Sequence, residues 1–231
     1  MINYGRQFID KNDLKSVQKT LKSNWLTTGP EVGKFEKLIG KKVGVRYVSV
    51  VNSATSALHV SCLALGLAKN DILWTSSNTF ISSANCGLYC GAKIDLVDIN
   101  RETYNIDVES LIKKLTEAKK KKKLPKILIV VHFAGQPCEM NEIFRLSKKY
   151  NFKIIEDASH ALGSRYKGTN IGDCKFSDIT VFSFHPVKII TTGEGGAATT
   201  NNKNLNKKLK SFRSHGITVD KTKNKNELKK R

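Results

Sequence analysis

An α/β domain with a mostly parallel sheet is the fold class this sequence predicts, on three observations. Seven short strand-like runs recur along the chain, helical stretches separate most of them, and several runs are continuously apolar instead of alternating. Continuous apolar strands belong to sheets buried on both faces. Strand–helix alternation is how parallel strands are joined.

Taken in order, residues 11–22 carry a polar helical pattern, and RYVSVV (46–51) gives the first strand. Residues 54–67 place Ala54, Ala57, Leu58, Cys62 and Leu65 on one helical stripe. DILWTS (71–76) is the second strand, a helix is expected from Phe80, and KIDLVDI (93–99) is the third strand. A more polar helix over 107–118 precedes the most apolar run, KILIVVHF (126–133). Residues 139–150 align Met140, Ile143, Phe144 and Tyr150 on a helix, followed by FKIIED (152–157), DITVFSF (178–184) and GAATT (196–200). No fixed-period repeat interrupts this series.

Composition bounds the function. A chain of 231 residues can bury a substantial core as one large domain. The opening MINYGRQFID lacks a secretory apolar core, and the longest apolar run, ILIVV (127–131), is too short for a bilayer, so a cytoplasmic protein is expected. Five cysteines without a CxxC pair read as reduced, mostly buried thiols, with no metal or disulfide role. The net charge of +20 concentrates in 113–126 and 221–231, rich in lysine and poor in aromatics. That pattern reads as solvated surface with a diffuse attraction for a polyanionic ligand such as a nucleotide diphosphate, without specific nucleic-acid recognition.

In a parallel sheet, ligands bind beyond the carboxyl ends of the strands. Four loops there carry chemistry. In VVNSATSAL (50–58), Ser53, Ala54 and Thr55 open a helix whose free N–H groups suit a phosphate, although Ser53 serves equally as an ordinary N-cap. In IIEDASHALG (154–163), Asp157 closes an apolar strand and either faces a ligand or caps the next helix. His160 either shares that cavity or is structural. In SSNTFISSAN (76–85), Phe80 lies flat on a planar ligand or belongs to the core. In FSFHPVKIITTGEGG (182–196), Ser183 ends a strand and Lys188 follows in a loop after Pro186. Together the loops ask for a ligand with a phosphate, a basic ring nitrogen and a carbonyl, and pyridoxal phosphate has all three.

The succession NSATSAL, TSSNTF, EDASHALG, FSFHPVKIITTGEGG and FRSHG resembles the large domain of the sugar aminotransferases of the DegT/DnrJ/EryC1/StrS family, from about Asn3 to Ile217. The resemblance implies an aspartate aminotransferase-like large domain, a fold-type-I pyridoxal-phosphate enzyme with a seven-stranded sheet flanked by helices. It makes Lys188 the Schiff-base lysine, pairs Asp157 with the pyridine nitrogen, sets His160 on the phenolic oxygen and stacks Phe80 on the ring. Ser183, Ser53 and the backbone at Ala54 and Thr55 would hold the phosphate. SHALG, SFHPVKIITTGEGG and FRSHG look closest to the branch that aminates C4 of UDP-linked 4-keto deoxysugars for pseudaminic acid, with glutamate as amino donor and a homodimer as the assembly. C3 amination, or a dTDP- or GDP-linked sugar, is the alternative inside the family, and a non-catalytic basic α/β binding module the alternative outside it. Relatives that dehydrate sugars carry histidine where this chain has Lys188. The same resemblance implies residues 1–217 as the cofactor-binding large domain, 218–231 as a lysine-rich tail, and a small carboxyl-terminal domain lacking from this sequence.

The residues support that assignment on their own terms. A lysine amine in water, with its pKa near 10.4, is a poor nucleophile at neutral pH. Among Phe182, Phe184, Val187 and Ile189, Lys188 is expected to lose its proton more readily. The Asp157 charge has the opposite task, keeping a ring nitrogen protonated so that the ring absorbs electrons. Glu194 and His185 receive no role.

Overall fold

The strands fall where the apolar runs place them. In the computed structural model, which describes residues 5–217, helices α1 (Lys11–Leu21) and α2 (Pro30–Val43) lead into strand β1 (Tyr47–Val51). Helix α3 (Ala54–Ala64), strand β2 (Ile72–Ser76), helix α4 (Ser82–Tyr89) and strand β3 (Lys93–Val97) follow. Next come helix α5 (Val108–Lys120), strand β4 (Ile127–Val131), helix α6 (Met140–Tyr150) and strand β5 (Lys153–Asp157). A small hairpin, β6 (Arg165–Tyr166) with β7 (Thr169–Asn170), precedes β8 (Ile179–Ser183), β9 (Gly196–Thr200) and helix α7 (Lys203–Arg213). The tail expected over 218–231 lies outside the described residues.

The seven longer strands form one sheet in the order β1-β9-β8-β5-β4-β2-β3. Strands β8, β5, β4, β2 and β3 are parallel, while β9 runs antiparallel to both its neighbours, β8 and β1. Alternate residues of the central strands feed two separate cores, as the two-residue period of a strand requires. Leu128, Val130, Ile154 and Phe182 pack with α2, α5 and α6 on one face. Ile127, Ile129, Ile155 and Val181 pack with α3, α4 and α7 on the other. The sheet is therefore covered on both sides, which is why its strands read as unbroken apolar runs.

Two helices escape the sequence pattern for identifiable reasons, and a third is shifted. Gly33 and Gly40 lie inside α2 and read as breakers, yet Pro30 at its start and burial of Ile39 and Val43 hold it. Helix α7 buries only Leu209 and is otherwise polar, so its stripe is too narrow to detect. Helix α4 begins at Ser82, two residues after the expected Phe80. The unexpected β6–β7 hairpin turns on Lys167 and Gly168, both at positive φ (46° and 83°), the two-residue geometry that matches strand twist. Among the described residues, no helix is long and apolar enough to cross a membrane.

One buried charge ties the strand ends together. Glu156, 3% exposed, accepts hydrogen bonds from His132 Nε2 at 2.8 Å, Ser177 Oγ at 2.5 Å and Thr180 Oγ1 at 2.9 Å. Because His132 Nδ1 accepts the Cys138 N–H, the ring proton sits on Nε2 and points at the carboxylate. Burial opposes ionisation of Glu156, but its interactions with His132 and the hydroxyls of Ser177 and Thr180 outweigh it and hold the group below the ordinary carboxylate range. This stabilisation is complete above the unfolded-state pKa and is lost as pH falls through the lower folded-state value. Glu156→Gln is expected to cost about 1.5–3 kcal/mol at neutral pH and to flatten the acid limb of the stability curve. Urea unfolding at several pH values checks both; an unaltered acid slope would assign that sensitivity to other groups.

Candidate active site

The carboxyl ends of β1, β2, β4, β5 and β8 lie along one edge of the sheet, and the loops leaving them enclose a cavity of about 440 Å³. Ser53, Ala54, Thr55, Phe80, Asp157, His160, Ser183 and Lys188, all nominated by the sequence, line it. Residues spread across 136 positions converge because every one sits at or just after a strand end.

Asp157 is the last residue of β5 and is 5% exposed. Its Oδ2 accepts from Ser83 Oγ at 2.7 Å, and its Oδ1 from Ser159 Oγ at 2.6 Å and Ser159 N at 3.2 Å. No helix follows β5, so the helix-capping alternative is not realised; Oδ1 instead accepts the Ser159 N–H within a turn. A buried carboxylate with three neutral donors, and no cation in contact among the described residues, is oriented but not neutralised. It remains available to a positive group in the cavity.

Lys188 lies in the loop between β8 and β9, its Nζ 2.5 Å from His160 Nε2. Burial lowers its pKa below the ordinary lysine range, with the Asp157 charge pulling upward. The dryness has a different origin from the one the sequence suggests. Phe182 and Phe184 are buried in the core, whereas Val187 and Ile189 are 43% and 58% exposed. Lys188 is half-buried where it lines the cavity, not enclosed by that apolar cluster. His160 is pushed below the ordinary histidine range by burial and then by Lys188, against Asp157. A neutral imidazole in contact with an amine can accept a hydrogen bond from it.

At the other wall, Ser53 is the N-cap of α3 and accepts from Ser56 N, so the ordinary capping role is real. The N–H groups of Ala54 and Thr55 have no acceptor among the described residues. They form a donor pair at a helix N-terminus, the geometry that suits an anion. Thr55 Oγ1 and Ser82 Oγ, 2.7 Å apart, join this turn to α4. Gly196 opens β9 directly against the turn, and a Cβ there would collide with Ser53 and, at 2.5 Å, with the Ala54 nitrogen. Gly196→Ala is expected to push the donor pair aside and cost about 1–3 kcal/mol. Thermal unfolding together with anion affinity would check it, and an unchanged affinity would separate this glycine from the donor turn.

Phe80 is 74% exposed at the cavity mouth, which removes the core alternative for it. His185 and Glu194 also line the mouth, their Nε2 and Oε1 atoms 4.0 Å apart. Sequence reasoning missed Ser83, Ser159 and the His132–Glu156 pair. The only available signals were the hydroxyl-rich SSNTFISSAN and the double acid ending IIED.

The sequence profile of the DegT/DnrJ/EryC1/StrS aminotransferase family matches residues 7–229. The UDP-4-amino-4,6-dideoxy-N-acetyl-beta-L-altrosamine transaminase of Campylobacter jejuni subsp. jejuni serotype O:23/36 (strain 81-176) is 47% identical over 219 residues, covering 94% of this chain and 56% of that protein. Helicobacter pylori PseC, an aminotransferase involved in the biosynthesis of pseudoaminic acid, superposes with a TM-score of 0.85 at 35% identity, over 94% of this chain and 57% of that one. The PLP-form of the putative sugar aminotransferase Spr1654 from Streptococcus pneumoniae gives a TM-score of 0.82 at 29% identity, over 94% and 59%. The chain spans about half the length of the curated relatives it matches.

Proposed function

This chain belongs to the DegT/DnrJ/EryC1/StrS aminotransferase family, and from that premise we propose that it binds pyridoxal phosphate and moves an amino group from glutamate to C4 of a UDP-linked 4-keto deoxysugar. Residues 1–217 act as the cofactor-binding large domain. The sugar assignment rests on likeness to the Campylobacter transaminase and to PseC. The cofactor assignment has its main support in one observation: a buried, oriented carboxylate and a half-buried, deprotonation-prone amine share a cavity with a free helix N-terminus.

The residues present fit this cofactor. The unpaired N–H groups of Ala54 and Thr55, with the Ser183 hydroxyl, would hold the phosphate; Asp157 would meet the ring nitrogen, His160 the phenolic oxygen, and Phe80 the ring face. Pyridoxal phosphate supplies an aldehyde for primary amines and a ring that takes up electrons released at an adjacent carbon.

The chain's own side chains do the rest. Lys188, once released by the incoming donor, takes the proton from the α-carbon of glutamate on its neutral Nζ. In the return half it delivers a proton to C4 of the sugar as that carbon gains nitrogen. His160, its Nε2 2.5 Å from Nζ, is placed to hold the released amine in position by a hydrogen bond. The Asp157 carboxylate is set in the cavity wall, a buried, low-dielectric position in which a charge acts most strongly.

The assembly proposed is a homodimer. Phe80 and Val187 expose apolar surface on the cavity lining, Ile81, Ile189 and Ile190 are exposed beside them in the chain, and α1 buries no residue while exposing Leu14, Val17 and Leu21. Such apolar surface suits a second copy of the chain. Sedimentation would check this, a monomer at high concentration refuting it. For the reaction, the protein is titrated with pyridoxal phosphate, followed by glutamate and then a UDP-4-keto sugar. Visible colour, borohydride fixation at Lys188 and conversion of glutamate to 2-oxoglutarate are expected. Absence of fixation at Lys188 would overturn the cofactor assignment, and turnover of only a dTDP- or GDP-linked sugar would overturn the substrate.

A further inference from the structure

The two oxygens of Asp157 are unequally occupied. A carboxylate offers about four lone-pair sites, two on each oxygen. Oδ1 accepts from both Ser159 Oγ at 2.6 Å and Ser159 N at 3.2 Å, whereas Oδ2 accepts only from Ser83 Oγ at 2.7 Å. The accepting position left for a further donor is therefore on Oδ2, the oxygen that Ser83 holds.

Ser83 is held in its turn. Fully buried in the first turn of α4, its Oγ lies 2.8 Å from Thr79 Oγ1. The direction of this chain is forced. A carboxylate can only accept, so the Ser83 proton points at Asp157, and the Ser83 oxygen then takes the proton of Thr79. Thr79 lines the cavity, so the chain runs from the cavity wall to the buried acid. We propose that Thr79 and Ser83 are positioning residues of the amino-transfer reaction, a directed pair of hydroxyls that fixes Oδ2 of Asp157 and stabilises its charged form. The inference rests on the cofactor assignment above, in which Asp157 meets a ring nitrogen.

Each donor in such a chain polarises the next, so Thr79 strengthens the bond from Ser83 as well as aiming it. A carboxylate stabilised by donors is a weaker base. It can attract a positive nitrogen without taking the proton from it, which is the difference between an ion pair and two neutral groups. Without the Ser83 donor, the buried charge becomes costlier to keep, and a shared proton moves toward Oδ2. The preceding residue, Ser82, joins Thr55 at the amino end of α3 at 2.7 Å. Consecutive helical residues stand about 100° apart around the axis, so two adjacent hydroxyls of α4 serve the donor turn and the acid separately.

The test loads wild type, Ser83→Ala, Thr79→Val and Thr79→Ser with pyridoxal phosphate isotope-labelled at its ring nitrogen. Two quantities are read at one pH: the single-turnover rate with glutamate and the NMR shift of that nitrogen. Ser83→Ala is expected to slow the rate roughly 10- to 100-fold, as for loss of one hydrogen bond to a charged group, and to move the shift toward unprotonated pyridine. Thr79→Val, a change of similar shape at a half-buried position, is expected to do both to a smaller degree, and Thr79→Ser to restore both. Should Ser83→Ala not fold, the two Thr79 variants carry the same comparison. Wild-type rate and shift in the loaded variants would overturn the proposal and leave the cofactor assignment standing. A slower rate with an unmoved shift would also overturn it, since a merely structural contact behaves that way. Failure of the wild type to fix the cofactor on Lys188 would instead overturn the assignment, and this inference with it.

Discussion

Lys188→Ala is expected to abolish amino transfer, by about 10⁴-fold or more, because one side chain supplies both the covalent tether and the proton carrier. Borohydride fixation of pyridoxal phosphate, read as added mass on the peptide containing residue 188, should vanish with it. Lys188→Arg sharpens the test. Arginine keeps a positive charge in the cavity but is never neutral under working conditions. If charge alone mattered, Arg would restore activity; if the site needs an amine that can lose its proton, it will be as inactive as Ala. The second outcome is expected, since burial already biases Lys188 toward the neutral form and His160 stands 2.5 Å from its nitrogen. A substantial rate in either variant would remove Lys188 from the mechanism.

Asp157→Asn should behave differently. The amide fills the same volume and can keep one acceptor for Ser83 or Ser159, so the fold and cofactor retention are expected to survive. What disappears is the negative charge. At an effective dielectric near 20, a pair of charges about 4 Å apart attracts by on the order of 4 kcal/mol, which corresponds to roughly 10³ in rate if all of it acts on the transition state. Single-turnover measurement with glutamate reads this directly. Wild-type rate in Asp157→Asn would mean that ring protonation does not depend on this residue; simultaneous loss of cofactor would mean that its role is retention.

How much of this was legible in the sequence depends on the range of the interaction. The seven strands were legible because burial on both faces leaves unbroken apolar runs, as in Ile127–Val131. The cavity was legible because strand ends are where loops converge, and Asp157, Ser183 and Ser53 each sit at or just beyond one. The contacts that orient those residues were not. Ser83 reaches Asp157 across 74 positions and His132 reaches Glu156 across 24, and neither pairing leaves a periodic trace. The 3.7 Å approach of Cys62 to Cys86 was hidden in the same way, since it depends on how α3 and α4 pack. Polar α7 was unreadable because a single buried leucine is not a pattern.

The loop bearing Lys188 is closed at its neck by two hydrogen bonds, Phe184 N to Gly195 O at 2.9 Å and Thr192 N to Phe184 O at 3.0 Å. It hangs from adjacent antiparallel strands, while Asp157 belongs to the parallel body of the sheet. Reagent and scaffold are therefore mechanically separable. Exchanges within residues 185–191 could redirect or replace the reacting group with every strand still in register, so this pendant is where the same architecture can be retuned to a different reaction without being refolded.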